Sequence, residues 1–397
     1  MLGLVLILAA AAAAQDWPQL LGPTRNGVYA GPFSPDASAA RVWKRSAGGG
    51  FSAPVVAGDR VLLFHREGDR DMLESLDSAT GKTQWTFAYK SEYKDNFGFS
   101  EGPRATPTAD GDRVYLYSAE GLLHCVSLNN GAKLWGIDAR KDFGIRKEFF
   151  GAAVSPVVDG DRLLMNIGGQ SNAGIVALDK LNGNVLWKTL ATEAGYASPV
   201  VAEFGGRRHA LFFTRDGLVD VDPKSSTVRF QHPWRARMAA SINGATPLVQ
   251  GSQVFISSSY NTGAALLDID GDKPKVVWSG DDSMSNHYST SVYKDGNLYG
   301  FHGRQEEGQS LRCVDWKTGR VRWNSDGLKA GTVTLAGAHL LVVTEGGELI
   351  VAPASPDGFK VAKRAKLLSP RVRAYPALSK GRIYVRSETE IAAFKID

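Results

Sequence analysis

One unit recurs from residue 52 to the C-terminus, and its period leaves few folds open. In the first copy, SAPVVAGDRVLLFHREGDRDMLESLDSATGKTQW (52–85), short apolar runs alternate with turns. A small-residue/Pro start leads into Val55 and Val56, and GDR (58–60) turns the chain into VLLF (61–64). A charged loop, a run over 72–76, the turn TGK (80–82) and a last run ending on Trp85 complete it. Turn residues between short apolar runs specify an antiparallel meander. Further copies start at ATP (105–107), VSP (154–156), ASP (197–199) and ATP (245–247), and in looser form at STS (289–291), GTV (331–333) and AYP (374–376). Their ends align on Trp135, Trp187, Phe230, Trp278 and Trp323, while the seventh copy degrades to FKVAKR (359–364). Starts lie 42 to 53 residues apart, a period that with four strands per unit means propeller blades.

The eighth copy, residues 374–397, holds only three strands: AYPALS, RIYVR and IAAFKI. The missing fourth, with its Trp, stands at the other end of the chain as ARVWK (40–44). The expectation is an all-β chain: one eight-bladed β-propeller of four-stranded antiparallel blades over residues 37–397, its last blade closed by an N-terminal strand. Closure leaves no radial edge open to aggregation. The blade-end Trp reads as structural, since a large ring at the rim can pack over the turn of the next blade.

Residues 2–14, LGLVLILAAAAAA, form an apolar run ending in small residues. That is the core and cleavage pattern of an export signal, although no Lys or Arg precedes it. It is too short for a membrane-spanning helix, which needs about 20 residues. Residues 1–14 are therefore expected to be a signal peptide, and the remainder an exported, periplasmic or secreted chain without a transmembrane segment. Residues 15–36, rich in Gly and Pro, read as an irregular lead-in whose Trp17, Leu20 and Leu21 pack on the main body. Cys125 and Cys313 stand in equivalent strands of different copies, so neither a disulfide scaffold nor a Cys-based metal cluster is expected. The net charge of +5 comes from scattered Arg and Lys with no run of five like charges, which points to a mixed solvated surface and no nucleic-acid partner.

The repeat itself carries a resemblance. SLDSATGKTQW (75–85), ALDKLNGNVLW (177–187) and VDWKTGRVRW (314–323) resemble the tryptophan-docking, pyrroloquinoline-quinone-like repeat of the quinoprotein alcohol dehydrogenase-like propellers. They are similar also to the repeat of the propeller lipoprotein of the outer-membrane assembly machinery, which binds no quinone. The resemblance covers nearly all of residues 40–397. For the dehydrogenases it implies a quinone at the axis between a Trp and a disulfide of adjacent cysteines, with calcium and an Asp base. This chain has no Cys-Cys pair and no Trp at a strand start for the lower platform.

Meander geometry separates two faces. The turns GDR (58–60 and 111–113 as Gly-Asp-Arg, and 160–162) are short and alike, the mark of a structural face. The loops YKSEYKDNFGFSEGPR (89–104), DARKDFGIRKEFFGA (138–152), HPWRARMAASING (232–244) and DDSMSNHYS (281–289) are long, polar and dissimilar. Such loops on a rigid scaffold are where binding residues live. Residues just before the inner strands lie nearest the axis, so Arg104, Tyr196, Asn243, His287 and Arg373, together with Arg237, are the expected ligand-binding set of this loop-rich face. Each also has a structural reading: Arg104 and Arg373 as partners of strand-end carbonyls, Asn243 as a turn residue before Gly244, His287 as an ordinary loop histidine. Asp77, Asp179 and Asp315 precede turns and read as local hydrogen-bond acceptors. No phosphate loop, HExxH or GxSxG element is present.

These residues point to a monomeric, non-enzymatic exported scaffold that binds a protein, peptide or glycan on its loop-rich face, with no catalytic or metal residues and no cofactor. The alternative is a quinoprotein dehydrogenase of alcohols or sugars using pyrroloquinoline quinone with calcium. A lyase or hydrolase using His and Tyr of the same face is a third reading.

Overall fold

The structure, a computed structural model, describes residues 16–146, 150–238, 241–271 and 273–397. The expected leader falls outside the described residues. Eight four-stranded antiparallel meanders follow one another around a ring. The first blade comprises Val55–Ala57, Arg60–Glu67, Arg70–Asp77 and Thr83–Lys90, the innermost strand first. The sequence dictates this order. The second and third strands of each blade are apolar runs buried on both faces, because neighbouring blades sandwich them, whereas the outermost strands alternate, as in TQWTFAYK.

Two glycine positions serve the ring in different ways. At the inner turn, Gly58 has φ +63° with open space around it, so the turn itself requires glycine there. In the outer turn, a Cβ on Gly81 would stand 2.7 Å from the ring of Trp43, so close approach is the reason. The same stacking places Trp85 on Gly131, Trp135 on Gly183 and Trp278 on Gly319. Each indole also donates to a carbonyl of the next blade: Trp85 Nε1 to Leu128 O at 2.9 Å, Trp187 Nε1 to Pro223 O at 3.0 Å, Trp323 Nε1 to Ser355 O at 2.8 Å. Burying such a ring is worth at most about 4–6 kcal/mol. Phe230 substitutes in the fourth blade by packing into a cluster with Val254, Ile256 and Leu267 of the fifth. The Asp residues of the outer turns act as local acceptors; Asp77 Oδ1 takes hydrogen bonds from Thr80 N and Oγ1 and from Ala79 N.

Hydroxyls join four pairs of neighbouring blade starts. Ala53 N donates to Thr106 Oγ1, Thr106 N to Ser155 Oγ, Ser155 N to Ser198 Oγ, and Thr246 N to Thr290 Oγ1. The Ser/Thr in the recurring start motif thus satisfies a backbone N–H of the preceding blade where no strand partner can reach it. Closure is as expected: Arg41–Ser46 pairs antiparallel with Glu390–Lys395, Trp43 opposite Ala393. Trp43 Nε1 donates to Ser78 O of the first blade, so the closing strand also locks the seam. Cys125 and Cys313 are buried and unpaired in the second and sixth blades.

The lead-in does more than pack on the body. It enters the central channel, turns and leaves. Trp17 bridges Val56 of the first blade, and Pro18 O accepts from Ala109 N of the second. Arg25, buried, donates to Pro156 O and Pro199 O at the starts of the third and fourth blades. Val28–Tyr29 then runs parallel to the inner strand of the seventh blade, opposite Leu335 and Ala336, and Tyr29 Oη accepts from Gly381 N of the eighth. This segment plugs the axis.

Candidate functional site

The loop-rich face opens into a cavity of about 400 Å³, within the range of small-ligand sites. Its walls come from the loops that precede the inner strands and from the hairpin loops of the fifth and sixth blades; Leu20 of the plug joins the lining at the axis. Of the six residues expected here, Arg104, Tyr196, His287 and Arg373 line it. Asn243 does not. It is buried behind the wall, where Nδ2 donates to Thr214 O at 2.8 Å and Trp234 O at 2.9 Å, and its carbonyl accepts from Tyr196 N and Ala197 N. It is a clamp between loops. Arg237 is exposed and stands outside the lining.

Sequence reasoning missed the aromatic character of the cavity. Phe97, Phe99, Phe150 and Tyr196 form an arc, with Phe150 4.7 Å from Phe97, 5.9 Å from Phe99 and 6.1 Å from Tyr196 between ring centres. Phe51, Tyr260, Tyr288, Tyr375, Met238 and Ile242 continue it. The available signal was the NFGF and EFF clusters inside loops that otherwise look polar. Asp95, buried at the base of the first loop, accepts from the backbone N–H of Phe97, Phe99 and Ser100 and so sets both Phe rings in place. Those hydrogen bonds and Arg104 hold its carboxyl below the ordinary range, although burial alone would raise it.

Each lining cation already has a carboxylate. Arg104 Nη2 lies 3.2 Å from Asp95 Oδ2 and also donates to Ser100 O. Arg373 Nε lies 2.9 Å from Glu345 Oε1, which accepts from Tyr288 Oη as well, while Glu345 Oε2 takes Gln305 Nε2. Arg304 pairs with Glu306 and Glu307 at 3.5 and 3.2 Å. Arg104 and Arg373 both face the Phe51 ring, 5.8 and 5.4 Å from its centre, and Arg304 lies 5.1 Å from that of Tyr260. These cations therefore shape an apolar wall through stacking more than they offer charge. The structural reading of Arg104 and Arg373 as partners of strand-end carbonyls holds for neither: Arg104 donates to the loop carbonyls of Gly102 and Ser100, and Arg373 meets the Glu345 carboxylate.

His287 is the polar exception. It is 92% buried, its Nε2 lies 2.8 Å from Tyr260 Oη, and its Nδ1 has no partner. Burial lowers its pKa to about 4 and raises that of Tyr260 to about 12, so both are neutral near pH 7. Among the described residues no group of three or more His, Cys, Asp or Glu side chains could hold a metal ion. No helix among them is long and apolar enough to cross a membrane.

No curated protein matches the sequence. In fold the chain is similar to BamB from Moraxella catarrhalis, with a TM-score of 0.67 and 14% identity over 90% of this chain and 97% of that one. It is similar to the quinohemoprotein alcohol dehydrogenase from Comamonas testosteroni, with a TM-score of 0.72 and 12% identity over 99% and 82%. A europium-containing methanol dehydrogenase aligns with a TM-score of 0.52 and 10% identity over 98% and 100%. At such identities these likenesses speak for the fold alone, and the fold hosts both binding proteins and enzymes. A family model described as outer membrane protein assembly factor BamB matches residues 69–325 and 307–397, which together run from the first blade to the C-terminus. The chain belongs to that family of eight-bladed propellers.

Proposed function

We propose that this protein is an exported, non-enzymatic binding propeller that takes part of a protein partner into the cavity of its loop-rich face. One observation carries the reading: the cavity is walled by aromatic rings while its arginines are spent on the chain's own carboxylates. Such a wall suits an apolar group of a partner. The family's description as an assembly factor supports a protein as that partner.

The residues present do not fit pyrroloquinoline quinone with calcium. Three carboxylates on that cofactor call for unpaired cations, and the lining arginines are paired. Calcium takes six to eight oxygen ligands, and the carboxylates here are engaged by Arg104, Arg373 and Arg304. The cysteines lie in opposite blades, so no adjacent pair flanks the axis.

The experiment has two arms. Titrating the protein with pyrroloquinoline quinone and calcium, followed by cofactor absorbance and dye reduction, is expected to give neither stoichiometric binding nor turnover. Peptides selected from a random display library are expected to bind the parent protein and to lose binding when Phe99 and Phe150 are both replaced by Ser. The pair Asp112→Asn and Asp161→Asn on the opposite face should leave binding intact. Turnover with the quinone, or peptide binding that follows the opposite face, would sink this reading.

A further inference from the structure

The cavity has three properties that together restrict what enters it. First, it is blind. Trp17, Leu21, Arg25 and Tyr29 of the plug are buried across the axis and bonded to the first, third, fourth and eighth blades. A polypeptide cannot thread through, so only a side chain or the tip of a turn can be seated. Second, its charges are internally balanced, as the Arg104–Asp95 and Arg373–Glu345 pairs show. An anionic or cationic group brought there would be desolvated without a free counter-charge, which costs far more than leaving it in water.

Third, His287 Nδ1 is a buried polar atom of the lining with neither a hydrogen bond nor an ion pair, whereas Arg304 Nε and Arg373 Nε, also without a hydrogen bond, face carboxylates. The state of Nδ1 follows from its neighbours. Tyr260 Oη has no hydrogen-bond partner among the described residues other than His287 Nε2, and a donor at Nε2 would leave both the phenol proton and Nδ1 unpaired. The phenol proton is left for His287 Nε2, 2.8 Å away. A neutral imidazole that accepts at Nε2 carries its proton on Nδ1. The cavity therefore presents a buried N–H donor in an aromatic bowl, and an incoming acceptor would relieve the penalty of leaving that donor unpaired.

Resting on the binding role proposed above, we infer that the cavity is a receptor for a single aromatic side chain of a partner polypeptide, whose main-chain carbonyl accepts a hydrogen bond from His287 Nδ1. The rings of Phe99, Phe150 and Tyr260 supply edge and face contacts for it, a geometry that favours aromatic over aliphatic groups of equal area. A sugar fits less well. Its many hydroxyls need several donors and acceptors, and the charged groups here are already engaged with one another.

The test uses peptides acetyl-Gly-Ser-Gly-X-Gly-Ser-amide with X as Trp, Phe, Tyr, Leu, Ala, Glu or Lys, titrated without label by calorimetry. Peptides with Trp, Phe or Tyr at X should bind at least tenfold more tightly than those with Ala, Glu or Lys, with Leu between. His287→Phe should weaken the aromatic peptides about tenfold while preserving the melting temperature; Tyr260→Phe, which frees the imidazole to change tautomer, should weaken them less. A second measurement stands even if His287→Phe fails to fold: in the ¹⁵N spectrum of the parent protein, the aromatic peptides should move the Nδ1 resonance of His287 and leave its Nε2 resonance in place. Peptide binding with no aromatic preference, or with His287 unmoved, overturns the inference while the binding role stands. So does binding of cellobiose in preference to all peptides. Absence of binding by every peptide at millimolar concentration also overturns it. Stoichiometric uptake of pyrroloquinoline quinone with turnover overturns both.

Discussion

At the level of single residues, the pH dependence of this fold follows from groups buried in the wrong state for water. His124 packs against Phe87 and Tyr89 with neither ring nitrogen bonded, and burial lowers its pKa to about 4, as it does for His287. The unfolded chain takes up protons at these positions below about pH 6.5, whereas the folded chain does not until about pH 4. Their neutral burial is thus fully tolerated above pH 6.5, and stability is lost as pH falls toward 4, by up to about 3 kcal/mol per histidine. Asp71 has the opposite sign. Burial raises its pKa to about 7, against the pull of Arg66, so the folded chain holds a proton that the unfolded chain has lost above about pH 4. The stability from that site is present at acid pH and disappears as pH rises through 7. Melting temperatures measured from about pH 4 to 8.5 should show His124→Phe removing a rise in stability between about pH 4 and 6.5, and Asp71→Asn removing a fall between about pH 4 and 7. Identical pH profiles for parent and variants would show that these groups are solvated. The sequence could name His124 and Asp71 only as strand residues, because their shift comes from burial between blades that a one-dimensional pattern does not display.

Among the elements, the closing strand is the one that joins the two ends of the chain. Arg41–Ser46 supplies the fourth strand of the last blade, and Trp43 is stacked over Gly81 and bonded to Ser78 O across the seam. Trp43→Ala should cost about 3–5 kcal/mol, as for other buried large-to-small changes, and deletion of residues 37–46 should abolish the cooperative transition seen in denaturant. An unchanged melting curve for the deletion would mean that the ring is closed some other way. This much was legible in advance, since a missing strand and a surplus strand at opposite chain ends balance in the count of runs and turns. The same periodicity explains what was not legible. Repeats report the strands and turns that the blades share, including the start motif whose Ser or Thr links neighbouring blades at four places, but the cavity wall is made from the parts that do not repeat. Phe97, Phe99 and Phe150 lie in loops of different length and composition, and only their convergence at the axis gives them a common role. Arg104, Tyr196, His287 and Arg373 were found because they sit four or five residues before an inner strand; Asn243 sits five before its own and turns its amide into the loop base instead.

For the whole molecule, the plug links stability to the shape of the site. Eight blades around an axis leave a channel into which the inner-strand carbonyls point, and buried carbonyls need donors. Arg25 provides them at Pro156 and Pro199, with Nε held by Gln19 Oε1 at 2.9 Å. Burial lowers its pKa to about 9, which still leaves the guanidinium charged at neutral pH, in a place where its partners are dipoles and not a carboxylate. Replacing it with Ala removes those hydrogen bonds and opens a void, so Arg25→Ala should destabilise the protein by about 2–4 kcal/mol. Arg25→Met, which refills the volume but leaves the carbonyls unpaired, should recover only part of that loss. Leu20 makes the complementary case. It lies where the plug meets the cavity and is only partly buried, so Leu20→Ala should cost about 1 kcal/mol or less in stability while deepening the site and loosening its grip on a bound aromatic peptide. Chemical denaturation and peptide titration of the variants separate the two effects. If Arg25→Ala leaves stability unchanged and Leu20→Ala leaves binding unchanged, the segment is an ornament of the channel and not the floor on which the site is built.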